Sequence, residues 1–324
     1  MYSDIMSFYG LDKDLDKAGL FETENYKKVY SSINLAINSG GIIALTGVVG
    51  TGKTTLLRRL QKSLATDSKI MVSKSLTTDK KKVSISSLYT ALFSDLSSDK
   101  DLKIPTQAEL RERKLQTLFK KIKKPVVLFI DEAHQLHWRT FLSLKHIVEI
   151  IEDCECQLSI VLVGHPILAN ELKNPRMEEI GARSKLFSLD GVGANKSKFV
   201  EWILKKCSSK ETKPHDIVTS EGIELLTSRL ITPLQIIHYL SRALEKGFQI
   251  NEKPITYDLI NEIISPDIDA MEPHLARNGY NMQVLCDVFN ARKSEVVAFF
   301  KGQLNPQRTE EFNREINKLG IVFR

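Results

Sequence analysis

"GIIALTGVVGTGKTTLLRRLQKSL", residues 41–64, decides how this chain folds. Its opening "GIIALTG" is an apolar run closed by glycine, the pattern of a short strand buried on both faces. From Lys53 onward the apolar residues recur at helical spacing. Between the two stands "GVVGTGKTT" (47–55), which fits G-x-x-x-x-G-K-[ST] at the point where a strand hands over to a helix. Gly47, Gly50 and Gly52 let the backbone wrap closely around phosphates, with Val48, Val49 and Thr51 completing the loop and its N–H groups pointing inward. The helix opening at Lys53, followed by Thr54 and Thr55, adds the positive end of its dipole. Lys53 is then placed for the β- and γ-phosphates of a nucleotide, and the Thr54 hydroxyl for Mg²⁺.

Strand signals continue on the far side of this stretch. "KIMVSK" (69–74), "PVVLFID" (125–131), "LSIVLVGHP" (158–166) and the weaker "KLFSLDGV" (185–192) alternate with helical segments such as 84–96. That alternation predicts an α/β fold with a parallel central sheet and a ligand at the carboxyl ends of its strands. Asp131 closes its apolar run as a Walker B acid, set to hold Mg²⁺ through water. Glu132 beside it is the candidate to polarise an attacking water. ATP hydrolysis is the expected chemistry, because no feature of a guanine-binding site is visible.

Residues 131–134 also spell DEAH, the signature of a helicase class. Such a helicase needs a second nucleotide-fold domain. After about residue 194 the strand signal ends, and 195–208, 220–230, 233–247 and 255–264 all read as helices. With no second strand-rich half read in these residues, a helicase is not expected, and His134 is left with no role beyond following the acids. The expected organisation is an ATPase domain over 1–194, a helical lid over 195–265 and a helical tail over 266–324. A linker is expected through "SPDIDAMEPH" (265–274), with three short helices after it.

Of the 324 residues, 42% are hydrophobic, enough for a sizeable core, and the net charge is a modest +6. The basic residues are grouped: Lys69, Lys74 and Lys80–Lys82 form one cluster, and seven lysines and arginines between 111 and 124 another. Such grouping favours a polyanionic partner over a merely solvated loop. Four cysteines show no disulfide or metal-ligand spacing. With no signal-peptide pattern at the N-terminus and no apolar run near the roughly 20 residues of a membrane span, a soluble, cytoplasmic protein is expected.

The segments "LTGVVGTGKTTLLRRL", "FIDEAHQL", "VLVGHPIL" and "TPLQIIHYLSRALE" resemble the AAA+ ATPases, and within them the ExeA-like branch with the transposition regulators TnsC and TniB, related to Mu B and IstB. The tail from Arg277 also resembles that of ATPases encoded beside transposases. The resemblance implies a P-loop ATPase domain with a helical lid, ATP and Mg²⁺ as ligands, and a homo-oligomer, ring or helical filament, on double-stranded DNA. It implies a separate transposase and a target-selection protein as partners, with hydrolysis timing disassembly. It makes His165 the sensor that meets the γ-phosphate, against the plainer reading of a residue capping the helix at Pro166. It makes Arg183, or else Arg176, the arginine reaching a neighbouring subunit's nucleotide, against a surface salt-bridge role for either.

In a ring around DNA, Lys74, Thr77, Lys80, Lys81 and Lys82 would contact phosphates. Trp138 and Arg139 are a second possibility, with Trp138 as core the alternative. Segment 281–304 has helix-turn-helix spacing; Phe299–Phe300 tilt the reading toward docking on a protein partner rather than DNA. One departure stands out: Leu234 and Gln235 follow Pro233, where many relatives carry an arginine. Hydrolysis is therefore expected to be slow or partner-dependent. The alternatives are an ExeA-type secretion ATPase, which usually continues into a membrane span and a wall-binding region, or another DNA-loading AAA+ protein.

Overall fold

A computed structural model describes residues 3–67, 69–74, 84–97, 104–264 and 270–321. Its five strands, β1 (Gly41–Thr46), β2 (Met71–Lys74), β3 (Val126–Ile130), β4 (Leu158–Gly164) and β5 (Ser184–Ser188), make one parallel sheet in the order β2-β3-β4-β1-β5. Central strands β3 and β4 are buried at every residue, which is why they read as unbroken apolar runs. Edge strand β5 leaves Lys185 and Leu186 exposed, hence its weaker signal and its shorter span than 185–192.

The helices, in chain order, are α1 (Ser3–Tyr9), α2 (Glu24–Ser39), α3 (Lys53–Thr66), α4 (Ile85–Leu96), α5 (Ala108–Ile122), α6 (Trp138–Glu152), α7 (Pro166–Leu172), α8 (Glu178–Gly181), α9 (Lys196–Cys207), α10 (Ser220–Arg229), α11 (Pro233–Gln249), α12 (Tyr257–Ile263), α13 (Met271–Arg277), α14 (Met282–Val288), α15 (Lys293–Phe300) and α16 (Pro306–Lys318). They and the strands fall into two compact units. One comprises Lys27–Gly47 and Gly52–Leu189, the other Met1–Tyr26, Val48–Thr51 and Asp190–Arg324.

The sheet unit has a core in which Leu88, Leu92 and Phe93 of α4, Phe119 of α5 and Leu144 and Ile147 of α6 pack with Leu128, Ile130, Ile160 and Leu162 of the sheet. Each such side chain stabilises by about 1.5–3 kcal/mol when removed from water. Parallel pairing puts Ile130 opposite Leu162 and Thr46 opposite Gly164, so β3, β4 and β1 end side by side. Whatever follows these three ends is gathered at one rim of the sheet.

In the helical unit α9–α12 form a second core with residues from the chain's beginning. Ile5, Tyr9, Leu11 and Leu15 are buried with Leu204, Cys207, Leu240 and Leu244. The first 26 residues thus stand with the helices, where the sequence reading put them in the ATPase domain. Tyr9 is fully buried and donates its hydroxyl hydrogen to Glu252 O at 2.9 Å. Helix α11 carries Gly247 at this point because a Cβ there would collide with Ile255 and Tyr9. The expected linker is corrected at its end: Pro273 lies in the first turn of α13, where proline is tolerated, and residues 265–269 lie outside the described chain. Among the described residues no helix is long and apolar enough to cross a membrane.

Candidate functional site

Lysine 53 opens α3, and it is 8% exposed, unusual for a charged side chain. Its Nζ donates to Gly47 O at 2.7 Å. Burial lowers its pKa, and the carboxylates of Glu132 and Asp131 oppose that effect, so the ammonium is held at the rim where β1 and β3 end. Gly52 precedes it at φ +96°, and a Cβ there would meet only open space. A loop strained for any other residue and open on its free side is a cradle, and the first N–H groups of α3 have no intrahelical acceptor. Thr54 and Thr55 are exposed on the first turn of α3.

Asp131 and Glu132 follow β3 directly. Asp131 Oδ1 accepts from the Glu132 N–H at 2.9 Å, and Glu132 adopts φ +55°, a left-handed conformation rare outside glycine. Left-handed non-glycine residues cost about 1 kcal/mol or more and gather at functional sites. The twist brings Glu132 Oε2 within 3.7 Å of His134 Nδ1 and 3.8 Å of His165 Nε2. The two imidazoles stack, ring centres 4.0 Å apart and planes within 17°. Burial pushes both down to about 4; Lys53 adds to the effect at His134, while His134 and then Lys53 add to it at His165. Both rings are therefore neutral at pH 7, and neither buried Nδ1 has a hydrogen-bond partner.

His165 stands at the N-cap of α7, as the plainer reading had it, yet its side chain makes no capping bond and turns to the glutamate instead. Gly164 before it permits the approach: a Cβ would sit 3.2 Å from His134 N and 3.1 Å from Leu168. His134, to which sequence reasoning gave no role, is thus part of the same group. No local pattern marks it, since its partner His165 stands at the end of the neighbouring strand, 31 positions away. Glu132, His134 and His165 could offer metal ligands within 4.8 Å of one another. Stacked rings, however, send their in-plane lone pairs side by side rather than toward one point, which does not suit a tetrahedral zinc site.

The tip of the loop, Val48–Thr51, counts with the helical unit. Gly50 has φ +85°, and a Cβ there would lie 2.6 Å from Leu234 Cβ and 2.8 Å from Thr232 Oγ1. The Val49 N–H donates to Arg277 O at 3.1 Å, so the end of α13 is bonded to the loop tip. The "TPLQ" stretch has a local physical cause: Thr232 is the N-cap of α11, Pro233 its first residue, and Gln235 closes a capping box by accepting from Thr232 N–H at 3.1 Å. Leu234 between them is exposed.

The remaining expected residues lie apart from this group. Arg183 is exposed and its Nη1 meets Glu149 Oε1 at 2.6 Å; Arg176 is exposed at a short turn. Lys74 ends β2, exposed, with its N–H bonded to Asp95, whereas Thr77, Lys80, Lys81 and Lys82 lie outside the described residues. Trp138 is 45% exposed at the start of α6, with the Arg139 guanidinium 5.3 Å from its ring centre, which corrects the alternative that made it core.

Residues 37–172 match a family described as "AAA domain". Over 167 residues the chain is 29% identical to "General secretion pathway protein A" of Aeromonas hydrophila, covering 51% of this chain and 29% of that protein. The chain thus spans less than a third of the curated relative it matches. The Aeropyrum pernix ORC2 protein, solved in ADPNP and ADP complexes, superposes with a TM-score of 0.51 at 14% identity, over 94% of this chain and 84% of that one. Drosophila ORC bound to DNA gives 0.51 at 15% identity, over 98% and 82%. The chain has the AAA+ P-loop fold: a parallel five-stranded sheet with helices and a helical tail.

Proposed function

We propose that this chain is a Mg²⁺-dependent ATPase whose product is an assembly state: it oligomerises with ATP on duplex DNA, recruits and stimulates a separate transposase together with a target-selection protein, and disassembles on hydrolysis. The observation that carries the ATPase part is the buried Lys53 ammonium, held between Gly47 O and the field of Asp131 and Glu132 beside an open glycine cradle. In this reading Lys53 and the loop amides of residues 47–55 bind the triphosphate, while Thr54 and Asp131 hold the metal. Mg²⁺, when bound, supplies neutralisation of charge on the β- and γ-phosphates. Glu132 orients and polarises the attacking water, and His165, neutral at pH 7, hydrogen-bonds that water or the γ-phosphate. His134 acts through both: its ring is stacked on His165 and its Nδ1 faces Glu132.

Supporting the assembly part are the resemblance to transposition regulators and the fold shared with a protein solved on DNA. Leu234, where relatives carry an arginine, favours slow turnover by a lone subunit and suits a timed switch. Arg183 of a second copy, with Arg176 as the alternative, would complete the site by leaving its Glu149 partner. Electron microscopy of the protein with duplex DNA and a non-hydrolysable ATP analogue tests the proposal. Rings or filaments that dissolve with ATP support it, and subunits that stay dispersed on DNA sink it. A second reading, an ATPase of a secretion pathway, has the Aeromonas relative in its favour. It predicts ATP turnover indifferent to DNA.

A further inference from the structure

We infer that the tail reads duplex DNA sequence, with α15 as the helix that enters the major groove. This goes beyond the proposed function, which needs no sequence preference, and beyond the phosphate contacts expected from the sequence at residues 74–82. Helices α14 and α15 are joined by four residues, Phe289–Arg292, in which Asn290 has φ +45°. One left-handed residue, of a type that tolerates it, turns the chain sharply enough for the second helix to pack across the first. Leu285, Phe289, Val296 and Phe299 are buried at the seam. Helix α16 closes the trio: Phe312 stacks on Phe289 at 4.3 Å and meets Phe299 at 5.3 Å. Arg308 of α16 donates to the carbonyls of Phe289 and Asn290, both at 3.2 Å, and so fixes the turn.

Phe299 is consumed by that core and Phe300 is half-buried beside it, so the aromatic pair that favoured a protein partner is not an exposed anchor. No large exposed hydrophobic residue lies among the described residues 270–321, whereas protein interfaces are anchored on such side chains. What α15 presents instead is Lys293, Ser294 and, just past its end, Lys301, all exposed, with half-exposed Val297 and Ala298 between them. Ser294, Val297, Ala298 and Lys301 line the face away from Val296 and Phe299, and Lys293 flanks it at the helix start. Small side chains on that face keep the helix near the 10–12 Å width that a major groove of about 12 Å admits. Charge points the same way. Glu295, the acid in the first turn, is tied inward: it accepts from Arg292 N–H at 3.0 Å and lies 3.7 Å from Arg308 Nε. Arg292, Lys293 and Lys301 take part in none of the ion pairs among the described residues. A polyanion is the complement of that surface, with the N-terminal residues of α15 at base edges.

The test uses the full chain without nucleotide, so that assembly does not mask the tail. Selection from duplexes with a randomised centre should enrich one short motif, bound about tenfold or more tightly than scrambled duplex. Methylation protection should fall on guanine N7, in the major groove. Lys293→Ala with Lys301→Ala should remove the preference and make the salt dependence shallower by about two, with ATP turnover and melting temperature unchanged. The control Lys318→Ala, on α16, should leave the preference intact. No enriched motif, or a double variant that binds like the parent, overturns the inference and assigns this face to a protein. ATP-dependent assembly on DNA in that case leaves the proposed function standing; a selected motif without such assembly leaves only the tail's role.

Discussion

At the carboxyl ends of β3 and β4, Glu132, His134 and His165 bring one side-chain N or O atom each within 4.8 Å of the others in a half-buried group. At the two ends of α15, Lys293 and Lys301 stand in water. The first arrangement spends burial to set protonation: both rings are kept neutral, and the interactions act strongly over one or two atoms. The second leaves its charges screened and weak singly, but able to act on a distant polyanion and to respond to salt. Chemistry needs the first kind of environment and reversible recognition the second, so substitutions in the two regions should differ in size and kind.

The largest effect is expected at Glu132. Glu132→Gln keeps the shape but removes the proposed base, and turnover should fall by about 10²–10⁴ with ATP still bound, measured by phosphate release beside nucleotide affinity. Equal loss of both would place Glu132 in binding rather than chemistry. In the tail the comparable blow is structural. Phe289→Ala empties the centre of the aromatic trio and should cost about 3–5 kcal/mol, exposing α14–α16 amides to hydrogen exchange. Unchanged protection would mean that the three helices do not share a core.

A buried carboxyl outside the site separates burial from catalysis. Glu171, on α7, is pushed up to about 7 by burial, and its Oε2 has no hydrogen-bond partner. The unfolded chain releases this proton near pH 4.5 and the folded one near 7, so folding loses stability as pH rises between the two. Glu171→Gln should leave stability unaltered at pH 4 and raise it by about 3 kcal/mol well above pH 7, followed by denaturant titration. Equal gain at both ends would show that the carboxyl is not held neutral.

Smaller still is His134. His134→Ala removes one ring of the stack and should cut turnover about tenfold with nucleotide affinity unchanged, whereas His134→Phe, which can still stack, should recover part of it. If alanine and phenylalanine behave alike, the stack does not position Glu132.

Much of this was legible in the residues. The apolar runs of β3 and β4 read as strands because each is short, rich in Val, Ile and Leu and bounded by Pro or Gly, as a strand buried on both faces is. The glycine spacing of 47–52 predicted a phosphate loop, and Asp131 at the end of its run predicted the neighbouring acid. The helix-turn-helix spacing of 281–304 was also visible. What stayed hidden was which apolar residues remain exposed: Phe299 read as a docking residue until Phe289 and Phe312 were seen to enclose it. His134 was hidden for a related reason, since its partner lies 31 positions away.

By itself the sequence determined the strands, the loop and the identity of the acids, because periodicity and glycine placement are local properties that each segment carries alone. Only the tertiary structure decided that His134 and His165 share Glu132, and that Phe299 is buried while Lys293 and Lys301 are not. Strand order and helix packing bring distant residues together, and burial, which sets both the protonation of a histidine and the reach of a lysine, exists only once they have.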